Sequence, residues 1–328
     1  MSAMRAYLLL ALNLVVASSS GAATFTENFA TDPALNGWKN FGATNLFHWN
    51  ATNENLEVTW DSSQPNSYFY HPLGTILATN DDFSLTFDLQ LADIVTGTNA
   101  NPAKTGAFEI VIGLINFVNA TNVDLQRGSG INSVHGARNT CEFDYFPDAG
   151  YNTTISPTIL SSNNQFATKF AFPLTLDPGA LFHVVMNFTA ANKTLRTTMT
   201  RNGTSFGTIP SVALGASFKD FRLDQVAVCS YSDAGSLDAT LAHGVVDNFS
   251  VTVPPPPMQN LTGAFSNDVW QAQFISRTNW LYALECSTNL VNWTNVVSSL
   301  PGNGTNVIAT DLAPPADKSF YRIRAERP

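Results

Sequence analysis

Short stretches in which apolar and polar residues alternate recur along most of this chain, and a period of two is typical of β-strands. Residues 83–89 alternate without interruption, whereas residues 108–114 are almost continuously apolar, which favours a central strand covered on both faces. Asn202-Gly203 predicts a tight turn between strands. Long amphipathic segments rich in Ala, Glu and Lys are missing from the sequence. The chain is therefore predicted to be all-β.

Residues 1–23 have the pattern of a secretory signal peptide. Met1 to Arg5 give a basic start, Ala6 to Ala17 are mostly apolar, and small residues follow up to Ala23. The apolar run is shorter than the roughly 20 residues that a membrane span needs. We expect cleavage and a secreted, extracellular or cell-surface protein without a transmembrane segment.

Four consecutive prolines at residues 254–257 predict a domain boundary. Proline cannot donate to a sheet ladder, and a proline run extends by about 3 Å per residue as a stiff spacer. The many strands of residues 24–253 predict two large sheets packed face to face. The shorter segment of residues 258–328 predicts a small β-sandwich of fibronectin or immunoglobulin type.

The charge of the chain excludes one class of partner. Its formal net charge is −9, and no basic segment is present. Binding to nucleic acid requires a basic face that neutralises phosphates, so no nucleic-acid partner is expected. The sequence also lacks the motifs of a serine hydrolase elbow, a phosphate-binding loop and a dinucleotide site.

Three cysteines leave at least one thiol unpaired. Cys141 and Cys229 fall in the same predicted domain and could form a disulfide, since export permits one. The alternative is that both of them and Cys286 are small buried apolar residues.

Residues 141–148 (Cys-Glu-Phe-Asp-Tyr-Phe-Pro-Asp) contain the most informative pattern for function. On a strand, Glu142, Asp144 and Phe146 point to one face and Cys141, Phe143 and Tyr145 to the other, which places Tyr145 in the inter-sheet core. Two neighbouring carboxylates repel each other. Such a pair predicts a metal site, acid–base chemistry, a polar ligand or simply a solvated face, and the residues alone leave these open.

The ends of the larger segment resemble those of concanavalin A-like jelly rolls, which include legume-type lectins, laminin G-like modules and laminarinase-type glycoside hydrolases. The resemblance lies in residues 25–29 (Phe-Thr-Glu-Asn-Phe), Gly37-Trp38 and residues 246–251 (Val-Asp-Asn-Phe-Ser-Val). It implies a jelly roll over most of residues 24–253, with the first and last strands side by side.

The acidic strand resembles two members of that superfamily. Glu142, Asp144, Phe146, Pro147 and Asp148 follow the spacing of the legume-lectin metal loop, which implies a ligand site there. No histidine follows nearby, so the resemblance implies calcium without manganese.

The laminarinase-type pattern Glu-x-Asp-x-Glu is matched only in its first two places. Asp148 would lie about 20 Å along an extended strand from Glu142, whereas a retaining carboxylate pair is about 5 Å apart. Glu142, Asp144 and Asp148 are therefore catalytic candidates only in the alternative that the protein is an enzyme.

Two further implications come from resemblance. Several jelly-roll carbohydrate modules share a structural calcium between the first and last strands, and Glu27 and Asp247 stand at those places. Residues 282–293 and 320–325 resemble a C-terminal module recurrent in secreted proteins of Verrucomicrobia-like bacteria, which implies a role in export, sorting or attachment.

The function expected from the sequence is a secreted or cell-surface protein that binds a polysaccharide or another glycan without catalysis. One alternative is a polysaccharide-degrading hydrolase or lyase that uses Glu142 and Asp144. Another is a purely structural envelope protein. A fold of this type hosts lectins and enzymes alike.

Overall fold

A computed structural model describes residues 22–98, 101–130, 133–148, 153–315 and 318–328. Residues 1–21, most of the predicted signal peptide, lie outside the described residues. The described chain separates into two compact units, Ala22–Pro255 and Pro256–Pro328. None of the helices among these residues has the length and apolar character needed to cross a bilayer.

The larger unit is built almost entirely of strands. In chain order these are β1 (Ala23–Glu27), β2 (Lys39–Phe41), β3 (Phe47–Asn50), β4 (Asn55–Asp61), β5 (Ser67–Leu77), β6 (Phe83–Thr96), β7 (Ile110–Ile115), β8 (Thr140–Phe146), β9 (Thr154–Ile155), β10 (Thr158–Leu160), β11 (Phe166–Thr168), β12 (Phe182–Thr189), β13 (Thr194–Arg201), β14 (Thr204–Ser205), β15 (Val212–Ala213), β16 (Leu223–Ser230) and β17 (Thr240–Val253). The short helix α1 covers Phe117–Ala120, and 3-10 turns cover Pro33–Asn36, Thr44–Leu46 and Arg127–Ser129.

These strands form two sheets, as predicted for a jelly-roll sandwich. The first, nine-stranded sheet has the order β14-β13-β12-β6-β17-β4-β3, with β1 beside β17 and β15 beside β13. The second, eight-stranded sheet has the order β11-β10-β8-β7-β16-β5-β2, with β9 beside β8. The first strand of the unit therefore pairs with its last, antiparallel from Ala23↔Val253 to Glu27↔Phe249.

The burial of each strand follows its sequence pattern. In β6, apolar residues face the core at every second position from Phe83 to Leu91. β7 is buried at every position, because it lies in the middle of the second sheet and is covered on both faces. The continuous apolar run of residues 108–114 predicted this correctly.

Strand β8 also has two buried faces. Cys141, Phe143 and Tyr145 belong to the core between the sheets, as the alternation predicted. The outer face of the second sheet carries a smaller apolar cluster that includes Val111, Ile115, Tyr68 and Tyr231. Three residues of the connection between β7 and β8 complete it: Ala120, Leu125 and Ala137. The interpretation of the Glu142 side as a solvated face is therefore wrong.

All three cysteines are buried and unpaired. Cys141 packs in the core between the sheets, whereas Cys229 packs in the cluster on the outer face of the same sheet. Their side chains point away from each other, so the Cys141–Cys229 disulfide that the sequence left open is not formed. The alternative of three small buried residues is correct.

The smaller unit is a small β-sandwich, as predicted. Its strands are β18 (Met258–Ser266), β19 (Val269–Ser276), β20 (Leu281–Ser287), β21 (Thr294–Pro301), β22 (Asn306–Asp311) and β23 (Phe320–Glu326). They form two three-stranded sheets, β18-β19-β22 and β21-β20-β23. Its core contains Ala272, Leu284 and Ala309, and the rings of Trp270 and Tyr321 stack at 3.9 Å.

The core position of β8 can be tested with Phe143→Ala. Phe143 is fully buried and meets Phe87 edge to face, with 5.7 Å between ring centroids. We expect a loss of about 3–5 kcal/mol in the free energy of unfolding, measured by urea titration. The control is Leu35→Ala, since Leu35 is 81% exposed, and its effect should stay within about 0.5 kcal/mol. A similar cost for both variants would contradict the assigned orientation of β8.

Candidate functional site

A cleft of about 610 Å³ opens on the outer face of the second sheet. That volume lies within the range of about 300–1,000 Å³ found for small-molecule sites. Its floor comes from β8 and β10, and one wall comes from the segment of β11. The other wall comes from three loops, which contain residues 106–109, 127–130 with 137, and 236–238. The residues that line the cleft include Glu109, Arg127, Asp144, Phe146, Asp148, Ser156, Thr158, Phe166, Thr168, Phe170, Ser236 and Asp238.

The pairing of three strands explains the composition of the floor. Glu142 of β8 pairs with Thr158 of β10, which pairs with Thr168 of β11. Antiparallel partners project to the same face, so these side chains form one row. Asp144, two residues after Glu142, therefore projects to the same outer face.

A guanidinium group lies among three carboxyl groups at the base of the cleft. Arg127 comes from the 3-10 turn Arg127–Ser129, and its Nε donates to Glu109. Its Nη2 is 3.0 Å from Oε2 of Glu142 and 3.6 Å from Oδ1 of Asp144. The guanidinium carbon lies 4.9 Å from the ring centroid of Tyr231. We call Glu109, Arg127, Glu142 and Asp144 the Arg127 cluster.

The Arg127 cluster is almost completely removed from solvent. The side chains of Arg127, Glu142 and Asp144 are 8%, 0% and 3% exposed. Tyr231 donates from its hydroxyl to Oε1 of Glu142 at 2.5 Å. Among the residues that the structure describes, Nη1 of Arg127 and Oδ1 of Asp144 have no hydrogen-bond partner. Buried polar atoms are usually paired, so these two are candidates for contact with a ligand or water.

Burial raises the pKa of both β8 carboxyl groups. For Glu142, burial is the main cause, and the charge of Arg127 and the hydrogen bond from Tyr231 oppose it. For Asp144, burial acts first, repulsion from Glu109 and Glu142 adds to it, and Arg127 opposes it. Three carboxyl groups around one guanidinium cannot all be charged without cost. Asp144, whose pKa lies well above the ordinary value because of burial and the neighbouring carboxyl groups, carries the larger part of that cost.

The raised pKa of Asp144 sets the sign of a pH effect on stability. The folded chain binds the Asp144 proton more tightly than the unfolded chain, whose value is about 3.9. This contribution to stability is fully present below that value and is lost as the pH rises through the folded pKa. Burial of the carboxyl thus weakens the fold once Asp144 is ionised, and Arg127 limits the loss.

The upper part of the cleft is apolar on one side and polar elsewhere. Phe166 and Phe170 are 46% and 58% exposed and flank Thr168 along the edge of the second sheet. Phe146 continues the apolar surface. The remaining polar lining includes carboxyl and hydroxyl groups of these residues: Asp148, Asp238, Ser156, Thr158 and Ser236.

The predicted ligand residues fall at different depths. Asp144, Phe146 and Asp148 line the cleft, and Asp148 is exposed at its mouth after the end of β8. Glu142 lies beneath the floor and is fully buried. Glu27 belongs to β1 and Asp247 to β17, so both lie on the first sheet and not in the cleft.

The sequence did not point to several residues of the site. Glu109 could have been noticed in the sequence, because a single carboxyl group beside an apolar strand needs a partner when it is buried. Arg127 and Tyr231 had none, since neither belongs to a motif. Phe166 begins a three-residue strand and Phe170 follows it, and this strand is too short to show a clear alternation of apolar and polar residues.

The β8 carboxyl groups do not fit a calcium ion. The positive charge between Glu142 and Asp144 is already supplied by Arg127. A cation with six to eight oxygen ligands would have to displace that guanidinium. The calcium implied by the lectin-like spacing of Glu142, Asp144, Phe146 and Asp148 is therefore not compatible with this arrangement.

Glu27 and Asp247 occupy a region of negative charge on the first sheet. The pKa of Asp247 is raised by burial and further by Asp88, Glu27 and Glu54. The two carboxylate oxygens of Glu27 accept hydrogen bonds from Phe29 N at 2.8 Å and Asn36 Nδ2 at 2.9 Å. Across the described ranges, no group of three or more His, Cys, Asp or Glu side chains is arranged to hold a metal. Calcium at Glu27 and Asp247 stays a prediction.

No family model and no curated protein matches this chain. Several solved lectin structures resemble it. Peanut lectin with a bound 9-mer peptide is 14% identical, with 71% of this chain and 98% of that chain covered and a TM-score of 0.42. Winged bean acidic lectin complexed with methyl-alpha-D-galactose is 13% identical, covers 71% and 99%, and has a TM-score of 0.41. Lectin II from Ulex europaeus is 11% identical, covers 70% and 98%, and has a TM-score of 0.44. Likeness at this level does not establish a function.

The role of Arg127 can be tested with Arg127→Met, which keeps an extended side chain but removes the charge. We expect a loss of about 3–5 kcal/mol in the free energy of unfolding at pH 7, because three buried carboxyl groups lose their cation. At pH 4.5 the loss should be smaller, since burial raises the pKa of Glu142 and Asp144 and favours their neutral forms as the pH falls. Urea titration at both pH values measures it.

The matched control is Arg201→Met. Arg201 pairs with Asp177 at 2.7 Å, but both side chains are more than 40% exposed. Its loss should cost about 0–1 kcal/mol at either pH. Equal costs for the two variants, or a cost for Arg127→Met that does not change with pH, would contradict the assigned role.

Proposed function

We propose that this chain is a secreted or cell-surface carbohydrate-binding protein whose cleft on the second sheet takes a glycan. The observation that carries the proposal is the pairing of an exposed aromatic wall, Phe166 and Phe170, with a floor of carboxyl and hydroxyl groups. A sugar ring has a C–H face that packs on aromatic rings and a rim of hydroxyl groups that need polar partners.

The charges of the cleft favour a neutral glycan. Glu109, Asp144, Asp148 and Asp238 line it, and Arg127 is the single cation among the described residues of its lining. Arg127 already faces Glu109 and Glu142, so little positive charge remains for a uronate or a sulfate. Sugar hydroxyl groups can instead donate to the carboxyl groups of Asp148, which is exposed, and Asp238, which is half-buried, and both residues line the cleft.

Binding is tested with a panel of neutral and acidic polysaccharides and with the variants Phe166→Ala and Phe170→Ala. We expect a neutral glycan to bind and each variant to weaken binding about tenfold, since an aromatic contact contributes about 0.5–1.5 kcal/mol beyond the area it buries. Titration calorimetry measures the affinity.

Phe172→Ala provides the matched control for the aromatic wall. Phe172 is 60% exposed but does not line the cleft, so its removal should leave the affinity unchanged. A protein that binds none of the glycans would contradict the proposal and favour a structural envelope role. Equal loss in all three variants would also contradict it.

One observation favours a second candidate, a polysaccharide-degrading enzyme. Asp144 lines the cleft and its pKa is well above the ordinary value because of burial. A carboxyl group whose pKa is raised by burial is what a general acid requires. Release of reducing sugar from the bound glycan, lost in Asp144→Asn and in Glu142→Gln, would replace the binding proposal with this one.

We also propose that Glu27 and Asp247 supply two ligands of a calcium ion. The support is the excess of negative charge around Asp247. The other ligands would be main-chain carbonyl oxygens and water, which calcium accepts readily.

Calcium is tested by thermal unfolding with the ion and with a chelator. We expect calcium to raise the midpoint temperature of unfolding. At a calcium concentration one hundred times the dissociation constant, the added free energy of unfolding is about 2.7 kcal/mol. Glu27→Gln should remove the difference, and Asp148→Asn, at the mouth of the cleft, should preserve it. Identical midpoints with calcium and chelator would rule the site out.

A further inference from the structure

A second concavity of about 520 Å³ lies beside the cleft. Phe166 lines both of them, so its ring is a shared wall. Its other lining residues include Asn163, Asn164, Gln165, Ser217 and Phe218. We call this concavity the amide groove.

The sheet register explains the position of Phe166. Phe166 of β11 pairs with Leu160 of β10, which pairs with Thr140 of β8. Thr140 precedes Glu142 by two residues, so Phe166 projects to the same face as Glu142, one row further along the sheet. Since β11 is the edge strand, the ring stands at the border between the cleft and the amide groove.

The amide groove differs from the cleft in its polar groups. No charged side chain lines it within the described part of the chain. The oxygen of Asn163 accepts from Ser161 Oγ at 2.6 Å, and the oxygen of Gln165 accepts from Lys219 N at 2.7 Å. With both oxygens held by the protein, the two NH₂ groups are left as donors. The cleft presents mainly acceptors, whereas the groove presents donors.

Asn164 also lines the amide groove. Its Nδ2 donates to Ser133 O at 2.7 Å, and its Oδ1 is buried. Since neither group of this amide is presented to the groove, the donors of the groove come from Asn163 and Gln165.

We propose that the cleft and the amide groove hold successive units of one neutral polysaccharide chain that stacks on Phe166 where it passes between them. This inference rests on the proposed glycan-binding function. Each concavity alone has the volume of a small-ligand site. Together they fit the interior of a chain better than a single terminal sugar.

The experiment measures affinity against chain length, using oligosaccharides of increasing length from the glycan that binds best. In the wild type, affinity should rise with length until both concavities are filled and then level off. The double variant Asn163→Asp with Gln165→Glu keeps both oxygen acceptors but removes both NH₂ donors. We expect it to weaken binding of the longest oligosaccharide about tenfold and leave the shortest binding ligand unchanged.

Two controls separate the possible failures. Asn192→Asp adds a negative charge at an exposed residue of the β12–β13 turn and should change nothing. Phe166→Ala should weaken binding at every length. If Phe170→Ala weakens binding but affinity is independent of length and of the double variant, the inference is wrong while the proposed function stands. If no oligosaccharide binds, the proposed function is wrong and the inference falls with it.

Discussion

Burial of carboxyl groups on the outer face of β8 is the constraint on which the second sheet depends. The apolar residues of β7 and β16 on that face require a cover, and the connection between β7 and β8 provides it with Ala120, Leu125 and Ala137. The same cover removes Glu142 and Asp144 from solvent. Arg127, which lies within this connection, makes their burial tolerable, because a buried charge needs a partner of opposite sign. The packing of the sheet and the chemistry of the cleft are thus two results of one ion cluster.

Patterns that repeat over a few residues predicted the larger part of the fold. The period of two in residues 83–89 and the apolar run of residues 108–114 gave the strands and their burial correctly. The same rule placed Phe143 and Tyr145 in the core between the sheets. These predictions succeed because the face on which a side chain lies is set by its own strand. The proline run and the C-terminal pattern likewise predicted a small second β-sandwich.

The site was only half predictable, because its other half comes from distant segments. Asp144 was recognised from its own strand, but Arg127 and Tyr231 approach from a loop and from β16's far end, and Tyr231 is 89 residues from Glu142. Trp38, Trp60 and Tyr68 are buried, whereas the exposed Phe166 and Phe170 lie in the edge strand β11 and just after it. Sequence pattern says which residue types are present, and only tertiary pairing decides which of them reach the surface together.

The two cysteines of the second sheet have a consequence for the chemistry of the chain in an oxidising environment. Burial raises the pKa of both thiols, with the carboxylates of Glu142 and Asp144 adding to the effect. Disulfide exchange proceeds through the thiolate, so Cys141 and Cys229 are poor nucleophiles in the folded chain. Because Cys141 and Cys229 face opposite sides of one sheet, a disulfide between them could form only after the sheet had opened. The positions of these two cysteines in the sheet therefore keep both thiols reduced as long as the protein is folded.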